Sequence, residues 1–299
     1  MKAERKMKRV KAIKSPKKIQ AAGWKRILMR VKDRIEEDNL TIVAAGVAFY
    51  AFLAIFPALM ALLSIYGLAV DPQQAERQIS QLSGMMPEQA FSVIRERVEN
   101  LLSTPGSALG WGMALGILIS LWSANAGTKS LFKGIDIAYE TKNERGFIKQ
   151  NALTLLFTLG AIITLLLSMA LIVIFPAIVN TFGLPGNIES LINWLRWPLL
   201  AGIVILVISL IYRYAPDRKT PKFKWVLAGA FLATVLWLIA SLGFSFYVSN
   251  FGNYGEMYGS ISAVVILLLW LFLTSFIILL GAEVNSASEA YAENRINAS

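Results

Sequence analysis

Residues 260–282 read SISAVVILLLWLFLTSFIILLGA, a stretch without Asp, Glu, Lys or Arg. A helix needs about 20 predominantly apolar residues to cross the hydrocarbon core of a bilayer. This stretch is long enough, and a charge at the centre of the bilayer would cost at least about 2.5 kcal/mol. The stretch therefore predicts a membrane-spanning helix, and hydrocarbon becomes the expected solvent for much of the chain.

Five earlier stretches have the same character, with apolar cores free of charged residues. The whole chain agrees, because it is 56% hydrophobic and 16% charged, whereas soluble proteins are about 25% charged. We therefore predict an all-α membrane protein, a bundle of six transmembrane helices at residues 41–67, 108–127, 149–180, 197–212, 225–250 and 260–282.

Lysine and arginine predict the orientation of these spans. With the N-terminus inside, 25 of the 29 basic residues lie on the cytoplasmic side, as the positive-inside rule requires. We expect a multi-pass protein of the bacterial inner membrane with both termini in the cytoplasm. The expected parts are a basic extension, a transmembrane domain with an extracytoplasmic amphipathic helical loop, and a cytoplasmic tail, at residues 1–37, 38–290, 68–107 and 291–299.

The basic extension contains apolar residues at helical spacing between Trp24 and Ile35. This pattern predicts an amphipathic helix lying along the membrane, with the N-terminal Lys and Arg residues attracting anionic lipid head groups. Nucleic acid is not an expected partner, because no aromatic residues are interleaved with the basic ones. A homo-oligomer remains open.

The residue inventory narrows the chemistry. The chain has no Cys and no His, so disulfides, the usual zinc and haem sites and a Ser-His-Asp triad are excluded. It also has no phosphate-binding glycine motif. We expect no enzyme activity, no metal and no cofactor.

Uncharged polar residues supply one set of candidate substrate contacts. Ser123 and Asn125 end the second span, where they either join closely packed helices or line a path for a substrate. Residues 247–260 join the fifth and sixth spans, and they form either an interfacial aromatic belt or a polar vestibule. The candidates in this second group are Tyr247, Asn250, Tyr254 and Tyr258.

Four charged residues and one tyrosine near the cytoplasmic interface supply the other set, namely Lys129, Asp136, Tyr139, Arg145 and Glu283. If the helix continues, Asp136 and Glu140 share one face and repel each other unless Lys133, Arg145 or a ligand compensates. They form either a solvated cluster or a gate or head-group site.

Glu283 either pairs with Arg213 or Lys129 or couples transport to an ion.

Two prolines add a structural prediction. Pro57 and Pro176 lie inside spans, where each is expected to kink its helix.

A series of short motifs follows in order: DNL at 38–40, AAGVAFY at 44–50, FP at 56–57, LWSAN at 121–125, IAYE at 137–140, RGF at 145–147, RYAP at 213–216, YGS at 258–260, LWL at 269–271 and GAEVN at 281–285. Over about residues 35–290 the chain resembles the YihY/BrkB family of bacterial inner-membrane proteins. The family often has Asn at the position of Asp136. It was once labelled ribonuclease BN, an activity that the missing His and Cys residues argue against.

The resemblance implies a role in envelope integrity and lipid handling. The leading hypothesis is a transporter or flippase of lipid or another amphiphile. The alternatives are a small-solute or ion transporter coupled through an interfacial carboxylate, and a membrane scaffold that transports nothing.

Overall fold

The computed structural model describes residues 16, 19–69, 106–174, 186–218, 221–251 and 261–297. Within these residues the secondary structure is helical throughout, and the seven α-helices are α1 Ala21–Glu37, α2 Leu40–Ala69, α3 Gly106–Ala138, α4 Phe147–Met169, α5 Gly186–Tyr214, α6 Phe223–Phe251 and α7 Ile261–Asn297. The predicted all-α class is thereby confirmed.

The chain divides into two compact units. Unit 1 contains residues 1–49 and 128–299, and unit 2 contains residues 50–127. In unit 1, α6 packs against both α5 and α7, α1 packs against α7, and α4 packs against α5. Hydrogen bonds join the end of α3, the loop before α4 and the segment after α5, and Arg213 at the end of α5 lies over the ring of Phe223 at the start of α6. These segments therefore meet at one end of unit 1. We call this the charged end.

The outward surface of unit 1 is apolar. On α4 and α6 the side chains of Leu156 and Leu242 are 64% and 74% exposed. A water-soluble monomer rarely exposes apolar surface on this scale, so these side chains face lipid. Among the described residues, four helices are long and apolar enough to cross a membrane, at Phe147–Ile172, Ser190–Tyr214, Phe223–Val248 and Ser262–Glu293. They correspond to the last four predicted spans.

The first two predicted spans have a different status. Helices α2 and α3 cover residues 41–67 and 108–127, but among the described residues α2 counts as a candidate span only as the bent partner of α1. The angle between α1 and α2 is 66°. Asn39, between them, has a φ of 49°, a left-handed conformation that Asn tolerates better than most residues. The count of six spans stays a prediction.

Three helices meet very closely in the core of unit 1. The backbone N–H of Gly229 on α6 donates to Oδ1 of Asn285 on α7 at 2.7 Å, and Nδ2 of Asn285 donates to the Val226 carbonyl at 3.1 Å. Tyr212 on α5 donates its hydroxyl to the Ile278 carbonyl at 2.5 Å. A Cβ atom on Gly229 would lie 2.6 Å from Cγ of Asn285, so glycine is required for this approach.

Helix α1 forms as predicted, but its apolar face packs on protein. Ile27 and Val31 are buried in a cluster with Val284 and Ala287 of α7. The stripe that was expected to contact the membrane is therefore largely taken by α7, whereas Leu28 remains exposed.

The two proline kinks stay predictions. The backbone of α2 is helical through Pro57. Helix α4 changes to a π-helix at Ala170–Ile174, directly before Pro176, which lies outside the described residues. π-Helical turns are an established cause of helix bending. The predicted extracytoplasmic helix within 68–107 also lies outside the described residues, apart from the two ends of that segment.

Candidate functional site

The charged end gathers polar residues from five parts of unit 1. Arg34 comes from α1, Asp136 and Tyr139 from the end of α3, Arg145 from the loop before α4, Asp217 and Arg218 from the segment after α5, and Glu283 from α7. Four of the predicted site residues, Asp136, Tyr139, Arg145 and Glu283, are therefore brought to the same end.

Arg34 and Glu283 form a buried ion pair, with exposed fractions of 4% and 0%. Nη1 of Arg34 lies 3.2 Å from Oε2 of Glu283 and donates to Oγ of Ser286 at 3.0 Å. The same guanidinium binds the Ala138 carbonyl and the carboxylate of Glu140. Arg34 thus replaces Arg213 and Lys129, the partners that the sequence suggested for Glu283. A buried charge needs such compensation, because losing one partner costs about 3–5 kcal/mol.

The second oxygen of Glu283 is in a different position. Oε1 is buried and accepts no hydrogen bond within the described part of the chain. Asp38, at the end of α1, is a further acidic group that interacts with Glu283. Arg34 therefore contacts the carboxylates of Glu283 and Glu140, and Asp38 adds a third negative charge beside Glu283. This excess of acid is what a proton or a cation would relieve.

Arg145 connects the loop before α4 to the end of α5. Its Nε donates to Oδ1 of Asp217 at 3.1 Å, Nη1 donates to the Ala215 carbonyl at 2.9 Å, and Nη2 donates to the carbonyls of Pro216 and Tyr214 at 2.9 and 3.1 Å. The last carbonyls of a helix lack partners within the helix. Arg145 donates hydrogen bonds to the carbonyls at and just after the end of α5, so its guanidinium holds the loop before α4 and this segment together.

Asp136 lies beside this connection. Its Oδ1 accepts bonds from the Thr141 hydroxyl at 3.1 Å and from the Asp217 backbone N–H at 3.3 Å. Burial raises the pKa of the Asp136 carboxyl above its ordinary value of 3.8, and these bonds and the positive charge of Arg145 oppose the rise only in part.

The predicted shared helical face of Asp136 and Glu140 is wrong. Helix α3 ends at Ala138, and Glu140 has a φ of 52°. This left-handed turn carries the Glu140 side chain to Arg34. Glu140 is therefore not the neighbour that was expected to repel Asp136.

Tyr139 is covered by a second ion pair. The guanidinium of Arg218 lies 4.0 Å from the centre of the Tyr139 ring, a cation–π distance. Arg218 also donates to both carboxylate oxygens of Glu289 on α7, at 2.5 and 3.3 Å. Burial raises the pKa of the Tyr139 hydroxyl, which therefore stays protonated at neutral pH.

Sequence reasoning missed three members of this end, namely Arg34, Asp217 and Arg218. A signal existed for two of them, because Asp217 and Arg218 directly follow the RYAP motif at 213–216. Arg34 carried no such signal among the 14 basic residues that precede residue 41.

Of the remaining predicted residues, Lys129 and Tyr247 are described within unit 1, and neither lies at the charged end. Lys129 is half-buried on α3, about 10 Å along the helix before Asp136. Tyr247 is exposed near the end of α6, about 36 Å along the helix from its start at the charged end. Ser123 and Asn125 belong to unit 2, where Asn125 is buried. The Asn250 side chain, Tyr254 and Tyr258 lie outside the described residues.

Long apolar helices with lipid-facing leucines, and charges gathered at one end of unit 1, define a multi-pass helical membrane protein. The comparison with protein families gives the particular class. Residues 31–299 match the family model described as "Virulence factor BrkB", and the chain belongs to this BrkB family. The family expected from the short motifs is confirmed.

Individual relatives extend over most of the chain. The ribonuclease-like protein YfkH of Bacillus subtilis is 29% identical over 81% of this chain and 88% of its own length. A UPF0761 membrane protein of Acinetobacter baylyi is 26% identical over 91% of this chain and 64% of its own length. Another, from Alteromonas mediterranea, is 26% identical over 88% and 87%. No solved structure matches the chain.

Proposed function

We propose that this protein transports or flips a lipid or another amphiphile across the bacterial inner membrane. One observation carries the proposal: buried polar residues within the apolar helices of unit 1 are uncharged, whereas the charges lie paired at one end. The buried hydroxyl residues are Thr154, Thr158, Ser209, Thr234 and Ser275. Hydroxyl groups buried in each of the four helices α4 to α7 suit contact with a polar head group, and a layer of exchangeable ion pairs suits a gate.

The hydrogen bonds of these hydroxyl groups could be exchanged for bonds to a head group without breaking the helices. Thr158 donates to the Thr154 carbonyl of its own helix at 2.8 Å and lies 2.8 Å from the Thr128 hydroxyl. Ser209 and Thr234 likewise donate to carbonyls one turn earlier in their own helices. These helices would keep their backbone hydrogen bonds if a head group replaced the side-chain bonds.

The test is lipid scrambling in proteoliposomes. With a fluorescent phospholipid in both leaflets and dithionite outside, the protein should accelerate the bleaching of the inner-leaflet lipid relative to empty liposomes. Thr158→Val should slow this phase several-fold, and Thr164→Val, on the more exposed part of α4, should not. Equal bleaching with and without protein, whether or not a proton gradient is applied, would sink the proposal.

A second candidate is a transporter of a small solute or ion coupled through a carboxylate. Oε1 of Glu283 favours it, because this atom is buried and has no hydrogen-bond donor among the described residues. In this case uptake into proteoliposomes should follow an imposed proton gradient, and Glu283→Gln should abolish that dependence. Glu293→Gln, an exposed position on the same helix, is the control. Gradient-driven transport that survives Glu283→Gln would remove Glu283 as the coupling group.

A further inference from the structure

Helix α1 has a fixed inner face. Gly23, Ile27, Val31 and Arg34 are its buried residues, and α1 packs against α7. The bonds from Arg34 to Ser286 and to the Ala138 carbonyl, at 3.0 and 3.2 Å, prevent α1 from rolling about its axis. The opposite side of α1 therefore has a defined orientation.

That opposite side forms an apolar groove whose lining includes two lysines. It has a volume of about 610 Å³, and its lining residues are Ala21, Trp24, Lys25, Leu28, Met29 and Lys32. These positions recur every three or four residues, so they form one continuous stripe. Leu28 and Met29 are 55% and 50% exposed. We call this stripe the outer face of α1.

The height of the outer face follows from its contacts. Val284 and Ala287, which pack against α1, come directly after the apolar run that ends at residue 282. Helix α1 is thus held where α7 leaves the hydrocarbon. At this depth apolar side chains enter the boundary of the acyl chains, and lysines reach upward to the head groups.

We propose that the outer face of α1 docks into a leaflet of acidic phospholipid, with Lys25 and Lys32 binding the head-group phosphates. The lysines stand two turns apart, about 10 Å, on either side of Leu28 and Met29. Their charge disfavours the other occupants. A second copy of α1 would bring lysine towards lysine, and the segment 1–18, which is rich in Lys and Arg, would do the same.

The absence of cysteine from the chain makes a site-directed spin-label experiment direct. Leu28→Cys reports on the outer face, and Arg30→Cys, an exposed position off the stripe, is the matched control. Each full-length variant is placed in nanodiscs of phosphatidylcholine alone or with phosphatidylglycerol. Collisions of the label with oxygen and with a water-soluble nickel chelate then measure its depth.

With phosphatidylglycerol present, the label at position 28 should meet oxygen several-fold more often than the nickel chelate, and the control label should stay in water. Adding Lys25→Glu and Lys32→Glu should remove the effect of phosphatidylglycerol, since each basic residue near an anionic surface is worth about fivefold. A water-exposed label at position 28 in both lipids would overturn the proposal. So would a label shielded from both reagents, which indicates cover by protein. Neither result depends on lipid scrambling.

Discussion

At the scale of single residues, Arg145 shows why a guanidinium is required. Its donors reach Asp217 and three successive carbonyls at the end of α5, and an ammonium group cannot reproduce that fork. Arg145→Lys should lower the stability of the detergent-solubilised protein by about 2–3 kcal/mol. Thermal unfolding followed by tryptophan fluorescence measures the loss.

Lys142→Ala is the control for Arg145, because Lys142 is an exposed residue of the same loop. It should change the unfolding temperature very little. Equal unfolding temperatures for Arg145→Lys and the unmodified protein would show that the carbonyls at the end of α5 are satisfied by other means.

Asp136 predicts a dependence on pH. Since burial raises its pKa in the folded protein, its contribution to stability is complete below the unfolded pKa and is lost as pH rises through the folded value. Asp136→Asn removes this loss. The variant should therefore be more stable than the unmodified protein at pH 8, by about 1.4 kcal/mol for each unit of elevation, and the advantage should vanish near pH 4.

Asp217→Asn is the control for that experiment. It removes the charge partner of Arg145, so it should destabilise the protein at pH 8. An advantage of Asp136→Asn that is identical at both pH values would show that titration of Asp136 is not its cause.

At the scale of helices, two glycines of α6 make a matched pair. A Cβ atom on Gly229 would collide with the Gly281 carbonyl and with Asn285, whereas one on Gly243 meets no atom of the described residues within 4 Å. Gly229→Ala should cost about 1–3 kcal/mol through overpacking, and Gly243→Ala should be neutral or stabilising by up to about 1 kcal/mol. Thermal unfolding of both variants checks this, and equal effects would contradict the close packing of α6 on α7.

The helices themselves were predictable because each span contains its own signal, a long apolar run. The long-range pairings were not. Arg34 and Glu283 are separated by 249 positions, and the sequence near either residue does not predict that they pair. Local capping also escaped prediction, since a helical reading of Asp136 and Glu140 fails once α3 ends two residues beyond Asp136. The polar vestibule around residues 247–260 stays a prediction.

At the scale of the whole molecule, the predicted orientation puts the charged end on the cytoplasmic side of the membrane. The loop segments 128–149 and 213–224, which contribute to the charged end, contain 10 of the 14 Lys and Arg residues between residues 68 and 224. The positive-inside rule assigns such loops to the cytoplasm. With this predicted orientation, α1 would lie on the inner leaflet, where acidic phospholipid would meet the lysines of its outer face.

Cysteine mapping in cells tests this orientation, again because the chain has no native Cys. Lys142→Cys and Lys222→Cys, both at exposed positions, should react with a membrane-impermeant maleimide only after the inner membrane is broken. Asn187→Cys, in the segment predicted to lie outside, should react in cells whose inner membrane is intact. The reverse pattern would move 25 of the 29 basic residues outside. It would also remove the inner leaflet as the docking surface of α1, even if α1 still binds acidic lipid in nanodiscs.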